Sequence, residues 1–152
     1  MRHRNRLKAC FTATVICTLL ASTGPQVWAD DAGKGTPLAL RKIMQDMGKN
    51  MQLITDGISR EDWEKVAKVA PLLADHPQPP LTEKMRILSF AGSDVGKFKS
   101  HDKKTYHAAQ ELEQAALRGD GQSVISSFAT LQNSCLACHQ RFRKRFLEHF
   151  YG

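Results

Sequence analysis

Six apolar residues, Leu40, Met44, Met47, Met51, Ile54 and Ile58, recur at intervals of 4, 3, 4, 3 and 4. At 3.6 residues per turn, that alternation lines them along one stripe of an α-helix. A rod with one apolar stripe must bury it against other rods, so the pattern constrains the chain to a helical bundle. Thr36 suits the N-terminal cap, Pro37 the first helical position, and Gly57 falls near the end.

The rest of the chain repeats the logic. A second helix is expected from Ser59, with Asp62 as a capping-box partner and Trp63, Val66, Ala70 and Leu73 facing inward. Pro71 should end or kink it, since a helix forced through proline loses about 3 kcal/mol. His76-Pro77-Gln78-Pro79-Pro80 reads as a stiff connector, and Thr82 to Phe90 as a short helical piece interrupted by Gly92 and Gly96. A third long helix runs from about Ser100 to Gly119, with Thr105, Ala109, Leu112 and Ala116 inward. A fourth starts near Asp120 and carries Val124, Phe128, Leu131, Cys135, Cys138, Phe142 and Phe146 on its seam. Trp63 and Tyr106 read as core. No segment alternates with period two, so the expected fold is all-α, an antiparallel four-helix bundle.

Two seam positions of the last helix are thiols where leucine would ordinarily stand. They belong to Cys135-Leu136-Ala137-Cys138-His139, a C-x-x-C-H pattern. On a helix, residues i, i+3 and i+4 project from one face. Two thiols at that spacing reach the two vinyl groups of one porphyrin while the adjacent imidazole reaches its iron, which is the attachment pattern of a c-type haem. Three other chemistries compete for such a pair. A dithiol redox motif expects a βαβ setting, and nothing here reads as strand. A structural zinc site wants four ligands, usually as two spaced pairs. A plain disulfide remains open. Haem is the reading that also uses the histidine.

The N-terminus carries Arg2, Arg4, Arg6 and Lys8, then an apolar run from Cys10 to Ala21, then Val27-Trp28-Ala29. This is the layout of an export signal spanning 1–29, with a domain at 30–152. The apolar run is short for a membrane-spanning helix. Cleavage after Ala29 would remove Cys10 and Cys17, leave Cys135 and Cys138 as the only thiols, and send the chain to an oxidising compartment, the periplasm. It would also remove four of the 22 Lys and Arg, leaving 18 against 15 acidic residues. A net charge of +3 instead of +7 takes away the main support for nucleic-acid binding, and stable membrane insertion is not expected after cleavage. No paired carboxylates, nucleophile–base pair or phosphate-binding glycine loop point to an enzyme.

With C-x-x-C-H on the last helix and a first helix reading Lys42-Ile43-Met44-Gln45-Asp46-Met47-Gly48-Lys49-Asn50-Met51, the region 30–152 resembles the cytochrome c prime family. The resemblance implies one covalent haem c held by Cys135 and Cys138, with His139 on the iron. It is nearest to the family's low-spin branch, in which a first-helix methionine four residues before a glycine closes the other face; here that is Met44, four before Gly48. It further implies Arg143 as the basic residue beside the proximal histidine, and Arg41 as a partner for a haem propionate. A methionine on a seam is ordinarily packing, and Met47, Met51 and Met85 are further thioethers. His76, His101, His107 and His149 read as surface or helix-end residues.

Two jobs are compatible with this resemblance. With both axial positions filled, the expected function is a periplasmic monohaem electron carrier working with redox partner proteins, possible also as a homodimer. With Met44 off the iron, it is a five-coordinate cytochrome that binds nitric oxide or carbon monoxide in a sensing or protective role.

Overall fold

The computed structural model describes residues 37–152, and every element among them is helical. The proposed export signal, the 29/30 boundary and the Thr36 cap lie outside the described residues. Helix α1 is Ala39–Ser59, α2 Trp63–Val69, α3 Pro71–Ala74, α4 Leu81–Ala91, α5 Val95–Leu117, α6 Gly121–Cys138 and α7 Lys144–Tyr151. A 3₁₀ turn, Gly92–Asp94, joins α4 to α5, and a π-type turn, His139–Arg143, joins α6 to α7. Four rods therefore assemble, α1, α2–α3, α5 and α6–α7, with α4 added between the second and third.

Helix α1 starts at Ala39, leaving Pro37 outside it. No side chain caps it locally. Instead Glu83 of α4 accepts the backbone N–H groups of Ala39 at 2.7 Å and Leu40 at 2.8 Å. A carboxylate there satisfies two orphan donors and complements the helix dipole. The buried stripe of α1 also differs from the expected one. Ile43 and Ile54 are buried and Met47, Met51 and Ile58 pack against the core, whereas Met44 is 39% exposed on the flank of the stripe. The stripe is centred one residue earlier than the 4-3 reading placed it.

Asp62, and not Ser59, caps α2: its carboxylate accepts from the Lys65 N–H at 3.0 Å. Ser59 closes α1, its hydroxyl donating back to the Thr55 carbonyl. Pro71 breaks the second rod as its chemistry requires and opens α3 from the first position. Gly57 is where α1 and α2 touch. A Cβ there would stand 2.9 Å from Val66 Cγ2 and 3.4 Å from the Asp62 carbonyl oxygen. Gly57→Val is therefore expected to destabilise the protein by about 1–3 kcal/mol through overpacking, read as a lowered denaturant midpoint. A midpoint equal to that of the unsubstituted protein would show that the two helices separate freely.

The core runs through all four rods. Ile54, Val66, Leu73, Leu112, Val124 and Leu131 are fully buried, each contributing about 1.5–3 kcal/mol of transfer free energy. Ala108, Ala109, Ala115 and Ala116 of α5 are buried with them, and such small side chains let α5 and α6 approach closely. Gly119, at φ +65°, ends α5 as its sequence position suggests, and Asp120 caps α6 through the Ser123 N–H at 3.1 Å. Helix α5 begins earlier than expected, at Val95, with Gly96 inside it. Tyr106 is not core: it is 37% exposed, and its hydroxyl accepts from Gln110.

Candidate haem-attachment site

Cys135 and Cys138 lie in the last turn of α6, one helical turn apart, and His139 begins the π-type turn. Both thiols are free and partly buried. Cys135 packs against the core cluster. Beside it, the hydroxyls of Thr105 of α5 and Ser134 lie 3.0 Å apart; one donates to the other, whose own proton goes to a backbone carbonyl, that of His101 for Thr105 or of Leu131 for Ser134. The wide turn matters because it rotates the rod where His139 leaves α6, and such turns occur often at functional sites. It also keeps Phe142 buried, with its ring edge-on to Phe98 at 5.3 Å.

Electrostatics separates the possible chemistries. Burial raises the Cys135 thiol, and burial together with the neighbouring Cys135 and Asp102 pushes Cys138 up to about 11. A dithiol catalyst needs a stabilised thiolate; this pair is held as neutral thiols. Burial, then the Arg143 charge, lowers the pKa of His139, favouring the neutral imidazole that binds metals. Among the described residues no group of three or more His, Cys, Asp or Glu stands ready to hold a bare metal ion.

Across from the motif, α5 presents Phe98, His101, Asp102 and Thr105. The His101 ring meets Phe142 at 6.0 Å, and its Nδ1 is buried with no hydrogen-bond partner. A buried polar atom left unpaired by the polypeptide is uncommon. Two neutral thiols one helical turn apart, with a neutral imidazole next to the second, are the donor set that a c-type haem takes. Cys135, Cys138, His139 and Arg143 are thus brought together on one rod. Met44 stands on a different one, half-exposed on α1. The first turn of α1 is tied to the far end of the cysteine rod: Leu38 N–H donates to the Tyr151 hydroxyl at 3.3 Å, and the Arg41 guanidinium lies 5.7 Å from the Tyr151 ring centre. Met85 is 59% exposed on the side of α4 opposite to Glu83 and Ile87.

His107 and His149 are exposed, as the surface reading expects, whereas His76 and His101 depart from it. His76 is nearly buried, 11% exposed, and pairs with Asp102 at 3.2 Å, fastening the proline-rich connector to α5 just behind Cys138. Nothing in the sequence links them, since they stand 26 positions apart. The Asp102 hydrogen bond raises the His76 pKa above its ordinary value, despite burial, and the same bond lowers Asp102. The stabilisation from His76 is complete below about pH 6.5 and fades as the pH rises through its raised folded value; that from Asp102 fades only as the pH falls through its lowered one. Melting temperature is therefore expected to decline between pH 6 and 8, and Asp102→Asn to flatten the decline. An equal slope in the variant would detach the pair from stability.

Residues 91–143 match the family described as Cytochrome C'. The matched segment holds α5, α6 and the π-type turn, and so includes Cys135, Cys138, His139 and Arg143; α1 with Met44 lies outside it. No curated protein and no solved structure matches the chain. The match supports the cytochrome c prime family and, with it, a c-type cytochrome built as a helical bundle.

Proposed function

We propose that this chain is a monohaem c-type cytochrome that carries single electrons, with haem c bound through Cys135 and Cys138 and iron held by His139 and Met44. The observation that carries the reading is the placement of two neutral thiols and a neutral imidazole on consecutive turns of one rod, inside the segment that matches the family. When bound, the haem supplies an iron that cycles between ferric and ferrous. The polypeptide supplies the rest. Cys135 and Cys138 fix the group against the core, His139 donates a nitrogen, and the apolar residues around Phe142 keep water away. A thioether from Met44 favours the ferrous state, as does low polarity around the site. With His139 and Met44 both on the iron, no site would be left for a substrate, and the chain would work as a carrier and not as an enzyme.

The proposal places the protein in the periplasm, exported by residues 1–29. Among the described residues no helix is long and apolar enough to cross a membrane. Its partners are redox proteins, and a homodimer is compatible with the exposed faces of α1 and α2.

One observation favours a second reading. Met44 is 39% exposed and off the buried stripe, so little packing holds its sulfur over the iron. If the side chain stays there, the sixth position is open and the protein binds nitric oxide or carbon monoxide. The ferric spectrum separates the two: a weak long-wavelength charge-transfer band marks thioether ligation, and its absence together with rapid carbon monoxide uptake by the ferrous protein marks the open site.

A further inference from the structure

Several described carboxylates on α1, α2 and the turn before α5 are matched by cations. Asp46 meets Lys42 and Lys49, Asp56 meets Arg60 and Lys65, Glu64 meets Lys68, and Asp94 meets Lys97 and Arg141. The end of the bundle where α4 meets α7 differs in gathering arginines against aromatic rings. No described carboxylate lies within ion-pair distance of Arg41, Arg86, Arg143 or Arg145, all of them exposed. The acidic groups in this region are Glu83, occupied by the α1 N-terminus, and Glu148, 3.9 Å from Lys144.

Three of these guanidinium groups are spread over aromatic rings. Arg86 lies 5.5 Å from the Phe150 ring centre, Arg145 5.6 Å from Phe90, and Arg41 5.7 Å from Tyr151. The rings form one cluster, with Phe90 5.5 Å from Phe146 and Phe146 4.5 Å from Phe150. A cleft of about 320 Å³ opens between them, lined by Arg86, Ser89, Phe90, His149 and Phe150. Stacking holds the cations in place without neutralising them. Arginine over aromatic rings around a small cleft is the composition of interface hot spots.

We infer that the α4–α7 end is the docking surface for an acidic electron-transfer protein. This rests on the function proposed above: α7 continues the rod that carries His139, and His149 and Phe150 of the cleft lie about 15 Å along it from that residue, within electron-transfer range of the iron site. An unpaired cationic field steers an acidic partner and accelerates its encounter by 10-fold or more at low salt. The cleft then accepts one partner side chain.

The test uses mature, haem-loaded protein and flavodoxin hydroquinone, an acidic one-electron donor. One electron passes to ferric iron, giving ferrous protein and flavodoxin semiquinone. The second-order rate at low ionic strength is expected to fall at least about tenfold in Arg86→Glu/Arg145→Glu, and about threefold in the milder Arg86→Gln/Arg145→Gln, with helical content unchanged. Lys49→Glu/Lys68→Glu, equal in charge change but on α1 and α2, should stay within about twofold of the unsubstituted protein. Equal losses from both reversals, or a rate insensitive to salt, would overturn the docking surface. So would binding a single-stranded oligonucleotide more tightly than flavodoxin. A colourless protein would defeat the haem reading instead, and calorimetric titration with flavodoxin, using the same variants, would still decide the docking claim.

Discussion

Replacing Cys135 and Cys138 together by alanine is expected to yield a colourless chain that has lost its cooperative unfolding transition. Both positions are seam sites of α6, and Cys135 already packs against the core cluster. Alanine removes the anchor for the group that would complete that part of the interior, and His101 keeps a buried nitrogen without a partner. Cavities left by one large side chain already cost about 2–5 kcal/mol, a large share of the stability of a small domain, and a haem is larger than any side chain. Far-UV circular dichroism and limited proteolysis of the double variant read this out. A rigid, fully helical, protease-resistant variant would show that the bundle needs nothing beyond its own side chains.

Met44→Ala is expected to have the second largest effect. If Met44 is the sixth ligand, its loss converts low-spin ferric iron to high-spin, abolishes the long-wavelength charge-transfer band and opens the ferrous protein to carbon monoxide. The protein itself should barely notice: Met44 is 39% exposed and outside the core cluster, so the cost in stability should stay within about 1 kcal/mol. That separation makes the substitution informative, because spectrum and stability respond to different roles. An unchanged spectrum in the variant would remove Met44 from the iron and favour the gas-binding reading. Met47→Ala, by contrast, removes a side chain packed against the core and should lower stability without altering the spectrum.

What the sequence made legible follows from where the physics is local. Helical periodicity depends on neighbours three and four residues apart, so the four rods, the break at Pro71 and the stop at Gly119 were all readable. The inward sets Val66, Ala70 and Leu73, and Ala109, Leu112 and Ala116, were readable for the same reason. The C-x-x-C-H spacing is local too, which is why the thiols and His139 stand together as expected. Phase was harder. A 4-3 apolar pattern on α1 fits two adjacent stripes, and only the packing of Gly57 against Val66 and of the other rods selects the one that buries Ile43 and leaves Met44 on the flank.

Features set by distant residues left no local trace. Glu83 caps a helix 43 and 44 residues away, His76 finds Asp102 across 26, and Arg141 finds Asp94 across 47. The π-type turn at His139–Arg143 was invisible because one extra residue per turn leaves the apolar spacing of Cys138, Phe142 and Phe146 intact. The aromatic and arginine cluster at the α4–α7 end likewise needs both helices in place, since Arg86 and Phe150 are 64 residues apart.

Intact mass of the purified mature chain, produced in a host able to attach haem, bears on all of this at once. The account expects a red protein heavier than its polypeptide by one haem, with the added mass on the peptide that contains Cys135 and Cys138. A colourless protein at polypeptide mass, with both thiols free to alkylation, would contradict it.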